Sequence, residues 1–261
     1  MHWRLLIDAP ADGATNMARD AALLDLCASG AAPPTLRLYG WTPACLSLGR
    51  FQRSAEVRRE ACAQAGVAVV RRPSGGRALL HDAELTYALV APAGTPPLDG
   101  AHSILESYRL ISAALLAGLH RLGAPAELAP VARRRGGSAA CFDMPASYEL
   151  TMAGRKLAGS AQARSEGALL QHGAIPLTGH AARLAGLLAG TPPDLDQKMI
   201  ALDEATGRAV TTEEAVAAIA QGFAVAWDIT LTPGDWSPAE QARAAELRTM
   251  RYTAEEWTWG R

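Results

Sequence analysis

Lysine is scarce in this chain: only Lys156 and Lys198 stand among 25 basic residues, the rest being arginine. An ammonium can shift its pKa and exchange a proton whereas a guanidinium stays charged, so each lysine is a candidate for proton chemistry. Lys156 lies in Gly154-Arg155-Lys156-Leu157-Ala158-Gly159-Ser160-Ala161-Gln162, where small neighbours leave room beside its head group. A solvent-facing strand lysine is the plain alternative. Lys198 follows Pro192-Pro193 in a polar stretch and reads as solvated. Four cysteines, Cys27, Cys45, Cys62 and Cys141, are too few for a disulfide framework and lack the C-x-x-C spacing of a metal site. The first three fall on inferred helix or strand faces. Cys141 instead follows Arg133-Arg134-Arg135-Gly136-Gly137 and precedes the segment of Lys156, which makes it the thiol placed to react. A neighbouring ammonium would stabilise its thiolate and lower a pKa that is ordinarily about 8.5. An inert, partly buried thiol is the alternative. The third segment runs Arg-Arg-Pro-Ser-Gly-Gly-Arg-Ala-Leu-Leu-His-Asp from 71 to 82. Gly75 and Gly76 let the backbone turn its N–H groups toward an acyl carbonyl or a phosphate, with Arg71, Arg72, Arg77 and His81 around it. Taken alone, the same residues also fit a Gly-Gly turn with solvated arginines.

The elements that must hold these segments alternate between strand-like and helix-like stretches, which predicts an α/β fold with a mixed sheet. Trp3, Leu5 and Ile7 alternate as a first strand, and a helix from near Thr15 carries Met17, Ala21, Leu24 and Cys27 inward before stopping at Gly30. Residues 36–39 and 45–48 read as a hairpin turned by Gly40-Trp41-Thr42-Pro43, with Cys45 packed inside it. Ser54 is placed to cap a helix through Val57, Ala61 and Gln64, and residues 67–70 form a β-branched, buried strand that delivers the arginine and glycine loop. A strand at 85–90 leads to the longest helix, with Ile104, Tyr108, Ile111, Leu115 and Leu119 on one stripe. Residues 148–152 and 155–161 form a hairpin around Ala153-Gly154, followed by a strand at 169–177. From about 180 the chain is more helical. Thr211 with Glu214, and Ser237 with Pro238 and Glu240, mark two helix starts, and Trp257 and Trp259 are expected to close a core edge.

Composition narrows the function. With 49% hydrophobic and 20% charged residues over 261 positions, the chain buries a full core, and one catalytic domain over 1–261 is the natural division. A net charge of -1 leaves no basic field for nucleic acid. The longest apolar run, residues 110–119, falls short of the roughly 20 needed to span a bilayer. The three apolar residues before Asp8 are too few for the core of a signal peptide, so a cytoplasmic location is expected.

In order, Arg-Arg-Pro-Ser-Gly-Gly-Arg-Ala-Leu-Leu-His-Asp at 71 to 82, Cys-Phe-Asp-Met-Pro-Ala at 141 to 146 and Gly-Arg-Lys-Leu-Ala-Gly-Ser-Ala-Gln at 154 to 162 resemble the biotin/lipoate protein ligase family, in its cysteine-dependent octanoyltransferase branch. Asn16-Met17-Ala18, residues 36–41 and Gln171-His172-Gly173 extend the resemblance over nearly the whole chain. It implies a catalytic domain of the biotinyl/lipoyl transferase type. The implied activity is transfer of octanoyl from an acyl carrier protein to a lysine of a lipoyl domain, commonly the glycine cleavage H protein. No cofactor or metal is implied, and the protein is expected to be a monomer. By position, Cys141 matches the acyl-thioester nucleophile and Lys156 the lysine that lowers its pKa. Arg72, Ser74, Gly75, Gly76, Arg77 and His81 match a loop bordering the acyl site, and Gly159, Ser160, Ala161 and His172 its opposite wall. Ligases of the family usually carry a third glycine where this chain has Arg77, which weakens the case for an adenylate.

A carrier thioester is already activated, so capture by Cys141 and release to an amine need no ATP. The rivals are an ATP-dependent lipoate ligase, which has no use for a nucleophilic thiol, and an enzyme moving octanoyl between two lipoyl domains. A module that only docks lipoyl domains is the non-enzymatic alternative. Arg133, Arg134 and Arg135 are placed to steer an acidic carrier, or else form a solvated loop.

Overall fold

The computed structural model describes residues 1–130 and 148–261. Along the chain these form β1 (His2–Ile7), α1 (Gly13–Ala28), β2 (Thr35–Tyr39), β3 (Cys45–Leu48), α2 (Arg59–Gln64), β4 (Ala68–Arg71), β5 (Leu79–His81), β6 (Glu84–Pro92), α3 (Ile104–Arg121) and β7 (Glu127–Leu128). After the undescribed stretch come β8 (Leu150–Met152), β9 (Arg155–Ser165), β10 (Ala168–Pro176), α4 (Ala181–Leu187), α5 (Leu195–Lys198), α6 (Leu202–Thr206), α7 (Thr212–Trp227), β11 (Thr230–Pro233), α8 (Pro238–Leu247) and α9 (Glu255–Trp259). An eight-stranded mixed sheet has the order β11-β1-β2-β6-β10-β9-β8-β7, and a second sheet the order β4-β3-β5. This is the mixed α/β fold expected from the sequence.

Both faces of the large sheet are covered, which explains why every residue of β2 is buried instead of alternating with solvent. Leu36 and Leu38 face α3 and α7, packing with Ile111, Leu115, Leu119, Ile219 and Phe223. Tyr39 on the opposite face joins Met17, Ala21 and Leu24 of α1. The helices begin where their caps allow: Ser103 with Glu106, Thr211 with Glu214 and Ser237 with Glu240 each complete a reciprocal capping box. Trp257 and Trp259 are half-buried and pack against separate core clusters, closing an edge as expected.

Four local expectations are corrected. Residues 36–39 and 45–48 are strands but not a hairpin, because β2 pairs with β1 and β6 in the large sheet while β3 pairs with β4 and β5 in the small one. The intervening Trp41 crosses between the two sheets, and Cys45 packs under Val70 and α1. Helix α1 starts at Gly13, capped by the Asp12 carboxylate, with Thr15 supplying the N–H it accepts. Ser54 opens only a short 3-10 turn and donates its hydroxyl to the carbonyls of Trp259 and Arg261, so α2 begins uncapped at Arg59. Ile7 and Ile104 are exposed, the first because Trp3 and Leu6 supply the buried positions of β1.

Candidate active site

A narrow pocket opens between the two sheets. Its wall takes Met17 from α1, Tyr39 from β2, Leu79 and His81 from β5, Thr86 from β6, Gly159, Ser160 and Ala161 from β9, and His172 and Gly173 from β10, with Trp41 and Arg72 between elements. Of the residues singled out from sequence, Arg72, His81, Gly159, Ser160, Ala161 and His172 therefore meet at one cavity. Gly173 is required there, since a Cβ would lie 2.5 Å from the Gly159 carbonyl oxygen and 2.8 Å from the Tyr87 ring.

The loop between β4 and β5 is held from inside by Arg72. Its guanidinium donates to the Gly75 and Arg77 carbonyls at 2.7 Å each and to the Ser47 carbonyl at 2.9 Å. Gly76 has φ +90, and a Cβ there would stand 2.8 Å from that guanidinium. Gly75, Gly76 and Arg77 thus lie on the outer side of the loop, where Arg77 pairs with Glu56 at 3.4 Å. Ser74 sits one hydrogen bond behind the pocket, 2.6 Å from His172 Nε2.

Asp20 is the charge centre beneath this wall. Its carboxylate accepts from Arg37 at 2.6 Å, Tyr39 at 2.9 Å and His172 Nδ1 at 2.8 Å. Burial pushes its pKa up, but the His172 and Arg37 partners outweigh burial and hold it below the ordinary value. His172 moves down, driven by burial and opposed by Asp20, and therefore stands neutral at neutral pH. A parallel chain supports His81, whose Nδ1 meets Glu84 at 2.7 Å and whose Nε2 meets the Ser47 hydroxyl at 2.7 Å. Trp41 stacks on His81 at 3.8 Å and donates its indole N–H to Thr86, which in turn bonds Glu84.

Lys156 is buried, correcting the solvent-facing alternative. It is 1% exposed on β9, and its Nζ donates to Glu149 at 2.6 Å. Burying an ammonium is costly unless it is paired, so Glu149 fixes both its charge and its position. Lys156 does not line the pocket, standing three residues along β9 from Gly159, or about 10 Å of strand. Lys198 pairs with Asp194 at 3.2 Å at the surface. Cys141 and Arg133 to Arg135 lie outside the described residues. The other three cysteines are buried. Burial raises the Cys27 thiol to about 12 and also raises Cys45 and Cys62, as suits inert core residues.

Sequence reasoning missed Asp20, Arg37, Glu149 and the role of Arg71. Two carried a signal: Asp20 falls on the apolar stripe of α1, three residues from Met17, and Arg37 interrupts an apolar strand. Glu149 carried none. Arg71 is 1% exposed and donates to the carbonyls of Gly49, Arg50, Gln52, Trp257 and Thr258, so it ties α9 and the loop after β3 to the strand feeding the site.

The chain matches the family model described as the lipoyl protein ligase A/B catalytic domain over residues 12–224. It is 39% identical to the octanoyltransferase LipM of Brevibacillus brevis and 42% identical to that of Kyrpidia tusciae, covering 98% of both chains in each comparison. Among solved structures, it resembles a lipoate-protein ligase A bound with ATP, with a TM-score of 0.86, 24% identity and coverage of 100% and 99%. It also resembles a bi-partite lipoate protein ligase from Thermoplasma acidophilum, with a TM-score of 0.80, 23% identity and coverage of 100% and 97%. At those identities the structural likeness establishes the fold, whereas the full-length sequence matches and the family model establish kinship: the chain belongs to the lipoyl protein ligase A/B catalytic domain family.

Proposed function

We propose that this protein is an octanoyltransferase that moves octanoyl from an acyl carrier protein to a lysine of a lipoyl domain, such as the glycine cleavage H protein, through a thioester on Cys141. The observation that carries the reading is the full-length identity of about 40% to octanoyltransferases, and the presence of Cys141 and Lys156 in the segments that carry the family resemblance supports it. The pocket supports it with a largely apolar wall of Met17, Tyr39, Trp41 and Leu79 beside His172, Ser160 and the Arg72 loop. Burial at about 0.8 kcal/mol per methylene contributes about 5 kcal/mol for an octanoyl chain.

In the first half-reaction the Cys141 thiolate attacks the carrier thioester, one C–S bond forms and the other breaks, and the carrier thiolate leaves. The exchange is close to thermoneutral, so neither ATP nor a cofactor enters. Lys156, held charged against Glu149, favours the thiolate. Backbone N–H groups bordering the pocket hold the oxyanion. In the second half-reaction the acceptor lysine displaces Cys141 and forms the amide. The whole chain acts as one catalytic unit, a monomer in the cytoplasm. No helix among the described residues is long and apolar enough to cross a membrane.

The test is acceptor modification in two arms, octanoyl carrier protein without ATP and free octanoate with ATP. Octanoylation in the first arm alone supports the reading, and octanoylation in the second alone makes the protein a ligase. Transfer from an octanoylated lipoyl domain without any carrier would instead identify an enzyme working between lipoyl domains.

A further inference from the structure

Two aromatic rings on one surface are each flanked by two guanidiniums. Arg50 and Arg251 stand 5.8 and 5.0 Å from the centroid of Trp257, and Arg50 and Arg261 stand 5.7 and 5.4 Å from that of Phe51. The rings hold like charges close together. Surface arginines elsewhere are neutralised, as Arg155 is by Glu204, Arg208 by Glu214 and Arg243 by Asp25. Arg50, Arg53 and Arg251 meet no carboxylate within ion-pair distance among the described residues. Two nearby acids are engaged with other groups, Glu56 with Gln52 and Arg77, and Glu255 with Arg59. Phe51 is 70% exposed and Met250, beside Arg251 in the chain, 75%, more than any other large apolar side chain among the described residues. Exposed Phe and Met set among arginines match the composition of a protein interface, where aromatic residues, Met and Arg are enriched.

This surface abuts the active site from outside. Arg50 donates its backbone N–H to the Ser74 carbonyl at 2.9 Å, and a Cβ on Gly49 would collide with the Gly76 carbonyl oxygen. Residues 49–53 therefore pack on the outer side of the loop whose inner side, through Arg72, lines the pocket. One loop separates the surface from the acyl site. An acyl carrier holds its thioester at the end of a phosphopantetheine arm, which is long enough to pass over such a loop. A lysine, with its four-carbon stem, is not, so an acceptor domain has to present its lysine at the mouth of the pocket. We propose that Arg50, Phe51, Arg53, Met250 and Arg251 form the docking surface for the acidic face of the acyl carrier protein, an assignment that rests on the octanoyl-transfer reading above. Guanidiniums steadied by the rings keep their N–H groups for carboxylates, while Phe51 and Met250 supply the apolar centre of the contact.

The experiment compares acylation of Cys141 by octanoyl carrier protein and by octanoyl-pantetheine, a donor that has the thioester but no protein. Arg50→Glu/Arg53→Glu should lower the rate with the carrier about tenfold in dilute buffer, because opposite fields speed encounter, and the deficit should shrink as salt is added. With octanoyl-pantetheine the variant and parent should react alike, and transfer from acylated Cys141 to an unmodified lipoyl domain should be unchanged. Phe51→Ser is a second variant, expected to raise KM for the carrier at every salt concentration and to leave the small donor unaffected. Parental kinetics with the carrier in both variants, or an equal loss with both donors, overturns the docking surface. A loss confined to transfer onto the lipoyl domain also overturns it, by assigning the surface to the acceptor. A parent that forms no cysteine adduct with either donor overturns the octanoyl-transfer reading itself and the docking surface with it.

Discussion

Replacing Lys156 with Met removes the cation from a pair in which Lys156 is 1% exposed and Glu149 4% exposed, at a contact of 2.6 Å. Glu149 is then left as a buried carboxylate without its ammonium. Breaking one side of such a pair costs about 3–5 kcal/mol, because the orphaned charge keeps its desolvation penalty and loses the attraction that offset it. For a chain of 261 residues, at about 2–4 °C per kcal/mol, that is a fall in Tm of roughly 6–20 °C. The double variant Lys156→Met/Glu149→Gln removes both charges and should recover most of the loss, leaving it within about 1 kcal/mol of the parent. Calorimetry on the parent, both single variants and the double variant measures the coupling. The double variant also separates stability from chemistry: it keeps the fold but lacks the ammonium proposed to lower the Cys141 pKa, so the rate of Cys141 alkylation should rise only at higher pH than in the parent. A double variant with the parental alkylation profile would remove Lys156 from the mechanism, and a single variant as stable as the parent would refute the buried-pair argument.

Gly76→Ala puts a Cβ at φ +90 and 2.8 Å from the Arg72 guanidinium, so it should cost about 1–3 kcal/mol and lower kcat/KM, checked by urea unfolding and steady-state assay. Stability should fall as pH drops below about 6.5, where the unfolded chain protonates its His172 and the folded chain, with that pKa depressed, does not; Asp20, also depressed, adds to the loss below about 4. His172→Gln should flatten the upper part of that curve, and a parental curve in the variant would contradict the assignment. With Cys27, Cys45 and Cys62 buried and their thiols raised, iodoacetamide at pH 7 should label Cys141 first, a pattern that peptide mapping reads directly. Neutralising Arg133, Arg134 and Arg135 should slow Cys141 acylation mainly in dilute buffer, because fields are screened beyond about 8 Å at physiological salt; an unchanged salt dependence would make the stretch a passive loop.

Local signals made much of this fold legible. Capping boxes at Thr211 and Ser237, the Ala153-Gly154 turn and the apolar stripe of α3 each follow from nearest-neighbour chemistry. The false hairpin at 36–48 shows the limit. Two short apolar strands around a glycine and proline turn look alike whether they pair with each other or leave for different sheets, and only long-range partners decide. The strand β11 escaped notice for the same reason, since its pairing with β1 joins residues more than two hundred positions apart. At the site, it was the family resemblance, more than residue types and spacing, that grouped Arg72, His81, Gly159 and His172, and they do meet at one cavity. The charge partners of the two histidines were not visible, because Asp20 acts from α1 and Glu84 from the start of β6, across a turn whose geometry the sequence does not state.

The central claim is that Cys141 carries the acyl group between donor and acceptor, and intact mass of the protein after incubation with octanoyl carrier protein, in the absence of ATP, tests it most directly. One added octanoyl group, lost on treatment with hydroxylamine and absent from Cys141→Ser, is the predicted result. An unmodified mass while the acceptor is nonetheless octanoylated, or a labile adduct on Cys27, Cys45 or Cys62, would contradict it.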